Sequence, residues 1–233
     1  MSFWRSFRLI LAALCAAPAA SAATPPSWDK PPPRAVPAHI PPAARGFQAA
    51  LRSGFSLPWG KASEEPGDEL SARSGWQVPV ILDAGFKLNK PVFLGLYLGF
   101  GYGSGRAEAC DAEGFDCRVL SYQFGVQGQY QFGASEAINP WIGYGIGYEI
   151  LEQSISTEGY DETEISHGMT FAKLGLGADL RGVFGLGPFV EVSAGRFAAS
   201  STSVDETEVH EGPVDESAWH GMLSFGVRLV VLP

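Results

Sequence analysis

The chain has 233 residues, of which 45% are hydrophobic, and carries 25 acidic against 16 basic side chains, a net charge of −9. This length allows one or two domains. The negative charge argues against nucleic-acid binding, which needs basic surfaces.

Residues 1–23 have the pattern of a secretory signal peptide. Arg5 and Arg8 precede a short apolar run, Pro18 interrupts it, and small residues at positions 20–22 form a cleavage site. A membrane-spanning helix needs about 20 apolar residues, more than this run contains. We therefore expect export, with 14 basic and 25 acidic side chains left after cleavage.

Residues 24–45 contain eight of the 17 prolines. Proline favours an extended polyproline II conformation and does not build a sheet ladder. The segment therefore predicts a periplasmic linker, and a docking tail for a periplasmic partner or for peptidoglycan is the alternative. Residues 46–233 remain as one domain.

Apolar and polar residues alternate through most of this domain. From Leu120 to Phe132, bulky apolar side chains take most even positions, whereas Gln, Gly and Ser fill the odd ones. Successive side chains of a strand point to opposite faces, so these are two faces of one sheet. The Gln-rich face is too polar for a soluble core, and the aromatic face needs lipid. This alternation is typical of a transmembrane β-barrel.

Eight strands are predicted, at residues 47–57, 77–88, 92–102, 118–132, 140–150, 170–181, 188–197 and 219–232. Short connections (89–90, 133–139, 182–187) alternate with long ones (58–76, 103–117, 151–169, 198–218). Outer-membrane barrels have short periplasmic turns and long outer loops. The sequence therefore predicts an all-β, eight-stranded, antiparallel, up-and-down transmembrane barrel. An even strand number places both termini in the periplasm.

Aromatic residues gather near the predicted strand ends, where they are expected to form two interfacial girdles. They are Phe55, Trp59, Trp76, Phe93, Tyr102, Phe132, Tyr148, Phe197 and Trp219.

The inward positions of the predicted strands are polar, and several are charged. The charged ones include Arg52, Asp83, Glu149, Lys173, Asp179, Glu191 and Arg228. Buried charges must be paired, and an eight-stranded barrel is only wide enough for side chains to fill it. We therefore expect a network across the lumen that closes the pore, with Glu149 and Glu191 as acceptors. A narrow conduit for small solutes or hydrophobic compounds is the alternative.

Inward glycines, such as those of the 143–147 stretch, either make room for large neighbours, allow strand bending or leave a cavity. Their G-x-G-x-G spacing is strand alternation and not a nucleotide loop, since no helix follows it.

The four long connections hold 19 of the 25 acidic residues. Solvated anionic loops keep a surface soluble and discourage strand-on-strand association. Binding of Ca²⁺ or Mg²⁺ is the alternative, because these ions prefer oxygen ligands, although the D-x-D-x-D-G pattern does not occur in the sequence.

Two cysteines remain after signal cleavage, Cys110 and Cys117, both in the second long connection. An even number of cysteines in an exported protein predicts a disulfide. It is expected to contribute about 2–3 kcal/mol by restricting the unfolded chain.

The stretch from Pro140 to Tyr148 (PWIGYGIGY) resembles the fifth strand of small outer-membrane barrels of the OmpA/OmpX/OmpW type. Residues 77–86 and 94–102 are similar to uncharacterised members of that group from myxobacteria and related Gram-negative bacteria. The resemblance covers residues 46–233. It implies a Gram-negative outer-membrane location, contact with outer-membrane lipid and lipopolysaccharide, insertion by the barrel-assembly machinery, and no cofactor. The chain departs from the usual terminal aromatic residue by ending in Pro233.

Some small outer-membrane barrels modify lipids, which raises the possibility of a catalytic site. A hydrolase needs a nucleophile, a base and an orienting group within reach of one another. His220 and Ser224 are four residues apart, about 13 Å along a strand, and the His and Ser spacing of lipid deacylases does not occur. We interpret His220 as a polar residue at the barrel rim, and predict that the chain is not an enzyme.

Overall fold

The computed structural model describes residues 45–105, 110, 115–133, 136–180, 184–205, 207–214 and 216–231. The predicted signal peptide, all of the proline-rich linker but residue 45, and the terminal Pro233 lie outside this range.

The described residues form nine strands and one short helix. They are β1 (Gly46–Gly60), α1 (Leu70–Arg73), β2 (Ser74–Lys87), β3 (Val92–Gly105), β4 (Asp116–Gln131), β5 (Ile138–Thr157), β6 (Tyr160–Leu180), β7 (Phe184–Val204), β8 (Thr207–Pro213) and β9 (His220–Val231). Within this part of the chain no helix is long and apolar enough to cross a membrane.

Eight of these strands close into a barrel. Strands β1 to β7 pair in chain order, and β9 pairs with both β7 and β1, always antiparallel. Strand β8 pairs with the C-terminal part of β7, from Ala199 to Val204. It extends the barrel wall past His220, the first residue of β9. The predicted eight-stranded antiparallel barrel is therefore confirmed.

The alternation of the sequence separates an apolar outer face from a polar interior. Leu96 and Phe132 are 63% and 65% exposed on the outside, whereas Arg52 and Arg228 are at most 1% exposed inside. Two of the predicted girdle aromatics depart from this arrangement. Phe93 and Phe197 are buried in the interior, because both occupy inward positions of their strands.

Two connections predicted as long loops are mostly strand. Strand β5 continues to Thr157 and β6 begins at Tyr160, with Gly159 in the turn at a φ of 81°. Strands β7 and β8 form a second hairpin. These segments are rich in Ser, Thr, Ile and Val, of which Thr, Ile and Val suit a pleated backbone. The sequence did not predict these strand extensions because they lack the alternating apolar face. Strands that project beyond the apolar band do not need such a face.

Helix α1 closes the end of the barrel at which these hairpins project. Leu70, 1% exposed, packs into a cluster with Val119, Leu151, Phe197 and Met222. This cluster is an apolar layer above the polar interior. The first long connection is therefore a folded lid and not an open loop.

The seam between β1 and β9 supplies a stability prediction. Gly54 lies opposite Gly226, and a Cβ at Gly54 would stand 2.0 Å from the carbonyl oxygen of Phe225. We expect Gly54→Ala to lower the free energy of unfolding by about 1–3 kcal/mol, because the clash is with backbone. Denaturant unfolding in detergent micelles measures this.

Gly99→Ala is the matched control, since its Cβ would meet Ile81 at 3.4 Å, an ordinary contact. Equal stability of both variants would show that the β1–β9 seam accommodates a Cβ at position 54 without strain.

Candidate functional site

The centre of the lumen is occupied by ionic side chains from four strands. Arg52 of β1 donates from Nη2 to Oδ1 of Asp83 at 2.8 Å and contacts Glu191 of β7 through Nη1. Lys173 of β6 lies 3.0 Å from the other oxygen of Glu191 and donates to Gln123 at 2.9 Å. Glu191 therefore joins two cations from opposite sides.

The same network continues towards the other end of the barrel. Gln127 donates to Asp83 at 2.6 Å, and Gln129 donates to Gln127 at 3.3 Å. Arg228 of β9 donates to Gln129 at 2.7 Å and to Asp179 at 3.0 Å. We call this continuous set the lumen network. Its members are Arg52, Asp83, Gln123, Gln127, Gln129, Lys173, Asp179, Glu191 and Arg228.

The charged members of the lumen network comprise three basic and three acidic side chains, each at most 5% exposed. Six of the seven predicted charged positions are thus brought together. Balance matters because an unpaired charge in such a narrow space is strongly unfavourable.

Each cation of the network also faces an aromatic ring. Lys173 Nζ lies 4.4 Å from the ring centre of Tyr97, and Arg228 Cζ lies 4.5 Å from that of Trp141. Arg52 Cζ is 5.7 Å from the ring of Phe189. Ring faces attract cations, so these side chains supplement the carboxylates.

Inward glycines make room for the two largest of these rings. A Cβ at Gly147 would lie 2.2 Å from the hydroxyl of Tyr97, and one at Gly177 would lie 2.8 Å from the indole of Trp141. Of the three explanations that the sequence left open, large neighbours account for these two glycines.

Glu149 is paired with His220 rather than with Arg or Lys. Its Oε1 lies 2.7 Å from Nε2 of His220, which is 1% exposed and stacks on Phe197 with ring centres 3.8 Å apart. The interpretation of His220 as a rim residue is therefore wrong. Its position at a strand start suggested the rim, but the α1 lid covers it, and no sequence pattern signals that lid.

Two small cavities lie inside the described part of the barrel. A polar cavity beside Ser56, Gln123 and Glu191 measures about 20 Å³, and one below Leu70 beside Glu149 about 10 Å³. These volumes hold roughly one water molecule each. Both cavities lie beside residues of the barrel interior that are already paired, Glu191 in the first and Glu149 in the second.

Above the lid lies a much larger, water-facing cavity of about 600 Å³, which we call the outer cup. Its lining comprises Ala62, Ser63, Glu65, Asp68, Arg73, Glu164, Ser166, Phe197, Ser200, His210, Pro213, Val214 and Glu216. Strands β6, β7 and β8 form one wall, and the connection carrying α1 forms the other. Most of its ionisable groups are acidic.

Arg73 links the lid to strand β6 by an ion pair. Its Nη1 lies 2.5 Å from Glu164 of β6, and its Nε contacts Asp68 within the lid. Burial by itself lowers the pKa of Arg73, but the carboxylates of Glu164 and Asp68 outweigh burial and raise that pKa above its ordinary value. The lid is therefore held by a permanently charged group.

Cys110 and Cys117, the predicted pair, are bonded in the structure, with Cα atoms 5.7 Å apart. Among the side chains that the structure describes, no group of three or more His, Cys, Asp or Glu residues is placed to hold a metal ion.

Comparison with known proteins gives matches of structure alone. No protein-family model matches the chain, and no curated protein matches it. A major outer membrane protein from Thermus thermophilus is similar at 13% identity, with 80% of this chain and 99% of that chain covered and a TM-score of 0.50. This chain has the fold of a small outer-membrane β-barrel.

Two further solved barrels match over similar lengths. Neisserial surface protein A is 14% identical over 79% of this chain and 97% of its own, with a TM-score of 0.43. The outer membrane protein OprG from Pseudomonas aeruginosa is 13% identical over 80% and 96%, with a TM-score of 0.42.

Glu191 is the residue on which the barrel interior should depend most. Replacing it by Ala removes the carboxylate contact of Lys173 and leaves Arg52 with Asp83 alone, and we expect the free energy of unfolding to fall by about 3–5 kcal/mol. Urea titration in micelles, followed by tryptophan fluorescence, measures the change.

Glu136→Ala removes an equally charged but exposed carboxylate from a turn and should change stability by about 0.5 kcal/mol at most. Equal losses in the two variants would contradict a stabilising role for the lumen network.

Proposed function

We propose that this barrel resides in the outer membrane of a Gram-negative bacterium and serves a structural and surface-interaction role, without conducting solutes. The observation that carries the proposal is the set of paired charges that crosses the barrel interior. The lumen network crosses the barrel, and the apolar layer under α1 covers its outer end. A solute would have to break paired buried charges to pass.

The outer surface supports the membrane location. Large hydrophobic side chains are exposed on every strand of the ring, including Leu82, Leu98, Leu176 and Leu229. A soluble protein rarely exposes so large a contiguous apolar area. Export by a cleaved signal peptide and insertion by the barrel-assembly machinery belong to the same proposal.

The unequal ends of the barrel support the orientation. The Asn89 turn at one end is short, whereas the lid and the β5–β6 and β7–β8 hairpins project from the other. Short turns are typical of the periplasmic side and long segments of the outer side. Both termini of the ring then lie in the periplasm.

The outer cup supports the surface-interaction role. Glu65 and Glu216 are exposed in its lining, where a partner with basic groups finds complementary charge. Divalent cations are the other proposed partner. Since the described side chains form no preformed metal site, such ions would bridge the acidic loops to phosphates of the surrounding lipid.

Planar-bilayer recording tests the closed lumen. We expect no steady current through the wild-type barrel, because voids of about 20 and 10 Å³ do not pass hydrated ions. Glu191→Ala combined with deletion of residues 61–73 should open a conductance. Steady current through the wild type would instead favour the narrow-conduit alternative.

Epitope tags test the orientation. A tag at Gly159, in the β5–β6 turn, should bind antibody on intact cells, and a tag at Asn89 should bind only after the outer membrane is permeabilised. The opposite labelling would invert the topology.

A further inference from the structure

An arginine stands on the outer face of the barrel, among apolar residues. Arg196 of β7 is exposed, and its Cζ lies 4.6 Å from the ring centre of Trp219. Met169 is its cross-strand partner on β6, and Phe171 packs against Trp219 with ring centres 5.7 Å apart. Met169, Phe171 and Trp219 are 43%, 47% and 48% exposed. We call these four residues the Arg196 patch.

The position of Arg196 along β7 sets its depth. Leu186, exposed near the start of the strand, is ten residues away. At about 3.3 Å per residue and a tilt of about 40°, this corresponds to roughly 25 Å of height. The outward apolar band of such barrels has about this height. Arg196 therefore lies at the outer edge of the band, at the level of lipid headgroups.

Among the described residues no carboxylate lies within 4.0 Å of the Arg196 guanidinium, which instead faces the ring of Trp219. A lipid-facing cation is unfavourable at mid-depth and tolerated at the interface. The guanidinium fork matches the geometry of phosphate oxygens, to which it donates two hydrogen bonds.

We propose that the Arg196 patch binds a phosphate of an anionic outer-leaflet lipid, namely a phosphorylated glycolipid. The guanidinium, held by Trp219, donates to the phosphate, while Met169 and Phe171 lie against the acyl chains below. This inference rests on the proposed outer-membrane location and adds a defined lipid site to it.

Native mass spectrometry of the full mature chain, refolded in neutral detergent, tests the site. Diphosphorylated lipid A is titrated as the probe, beside lipid A from which both phosphates have been removed. We expect the phosphorylated lipid to bind at least about tenfold more tightly, as the loss of a charge-assisted contact implies. Arg196→Ala should abolish that preference and leave binding of the phosphate-free lipid unchanged.

Arg118→Ala is the matched control. Arg118 is also exposed on the outer face, on β4, and within the described part of the chain it has no aromatic or ionic contact. Its loss removes the same charge and should alter the affinity by less than about twofold, since charge alone is weak at exposed sites.

Three outcomes would overturn the site: equal binding of the two lipids by the wild type, equal weakening by both Ala variants, or full displacement by inorganic phosphate, which would assign the patch to free phosphate. The comparison of lipids on the wild type needs no variant and so holds even if Arg196→Ala misfolds. These outcomes leave the closed-lumen proposal standing, because that is tested by conductance.

Discussion

Charge neutrality inside a narrow tube is the constraint on which this structure depends. Three basic and three acidic side chains are buried within one lumen, and each is held by an opposite charge at 3.0 Å or less. Because Arg52, Lys173 and Glu191 come from β1, β6 and β7, misplacing any one of these strands would break at least one of the two ion pairs. The network therefore fixes the relative positions of strands that are distant in sequence, which hydrogen bonds between neighbours alone do not specify.

Volume is matched as closely as charge. Tyr97 and Trp141 fit into the interior because Gly147 and Gly177 leave space for them. Gly177 is the cross-strand partner of Trp141 on the adjacent strand, and Gly147 lies two strands from Tyr97. The interior is thus packed by a few large rings and long polar chains, in contrast to the aliphatic side chains of a soluble core. The apolar contacts that do occur inside are concentrated at the outer end, under Leu70. Polar packing and an apolar cap are the two features that support the proposal of a closed lumen.

The period-two pattern was sufficient to predict the barrel and the faces of its strands. It assigned Arg52, Asp83 and Glu191 to the inner face, where these side chains are buried, since side-chain direction along a strand depends only on local sequence. It did not predict that Glu149 pairs with His220, because that depends on strand stagger and on a lid formed by a non-repetitive segment. The outer hairpins were also missed, since Ser and Thr on both faces leave no alternation to detect. The direction of each side chain can thus be predicted from the sequence more reliably than the contacts between strands across the barrel.

The position of the seam has a consequence for how the barrel assembles. Arg228 lies on the last strand, and the bond of Arg52 to Glu191 spans β9, the strand that closes the ring. Before β9 pairs with β1, Arg52 keeps its pair with Asp83 of the neighbouring strand β2 but is separated from Glu191 of β7. An incompletely closed sheet would also present its charged inner face to hydrocarbon, which makes partly inserted intermediates unfavourable. Closure is therefore expected to be cooperative, with a chain lacking β9 retained outside the bilayer.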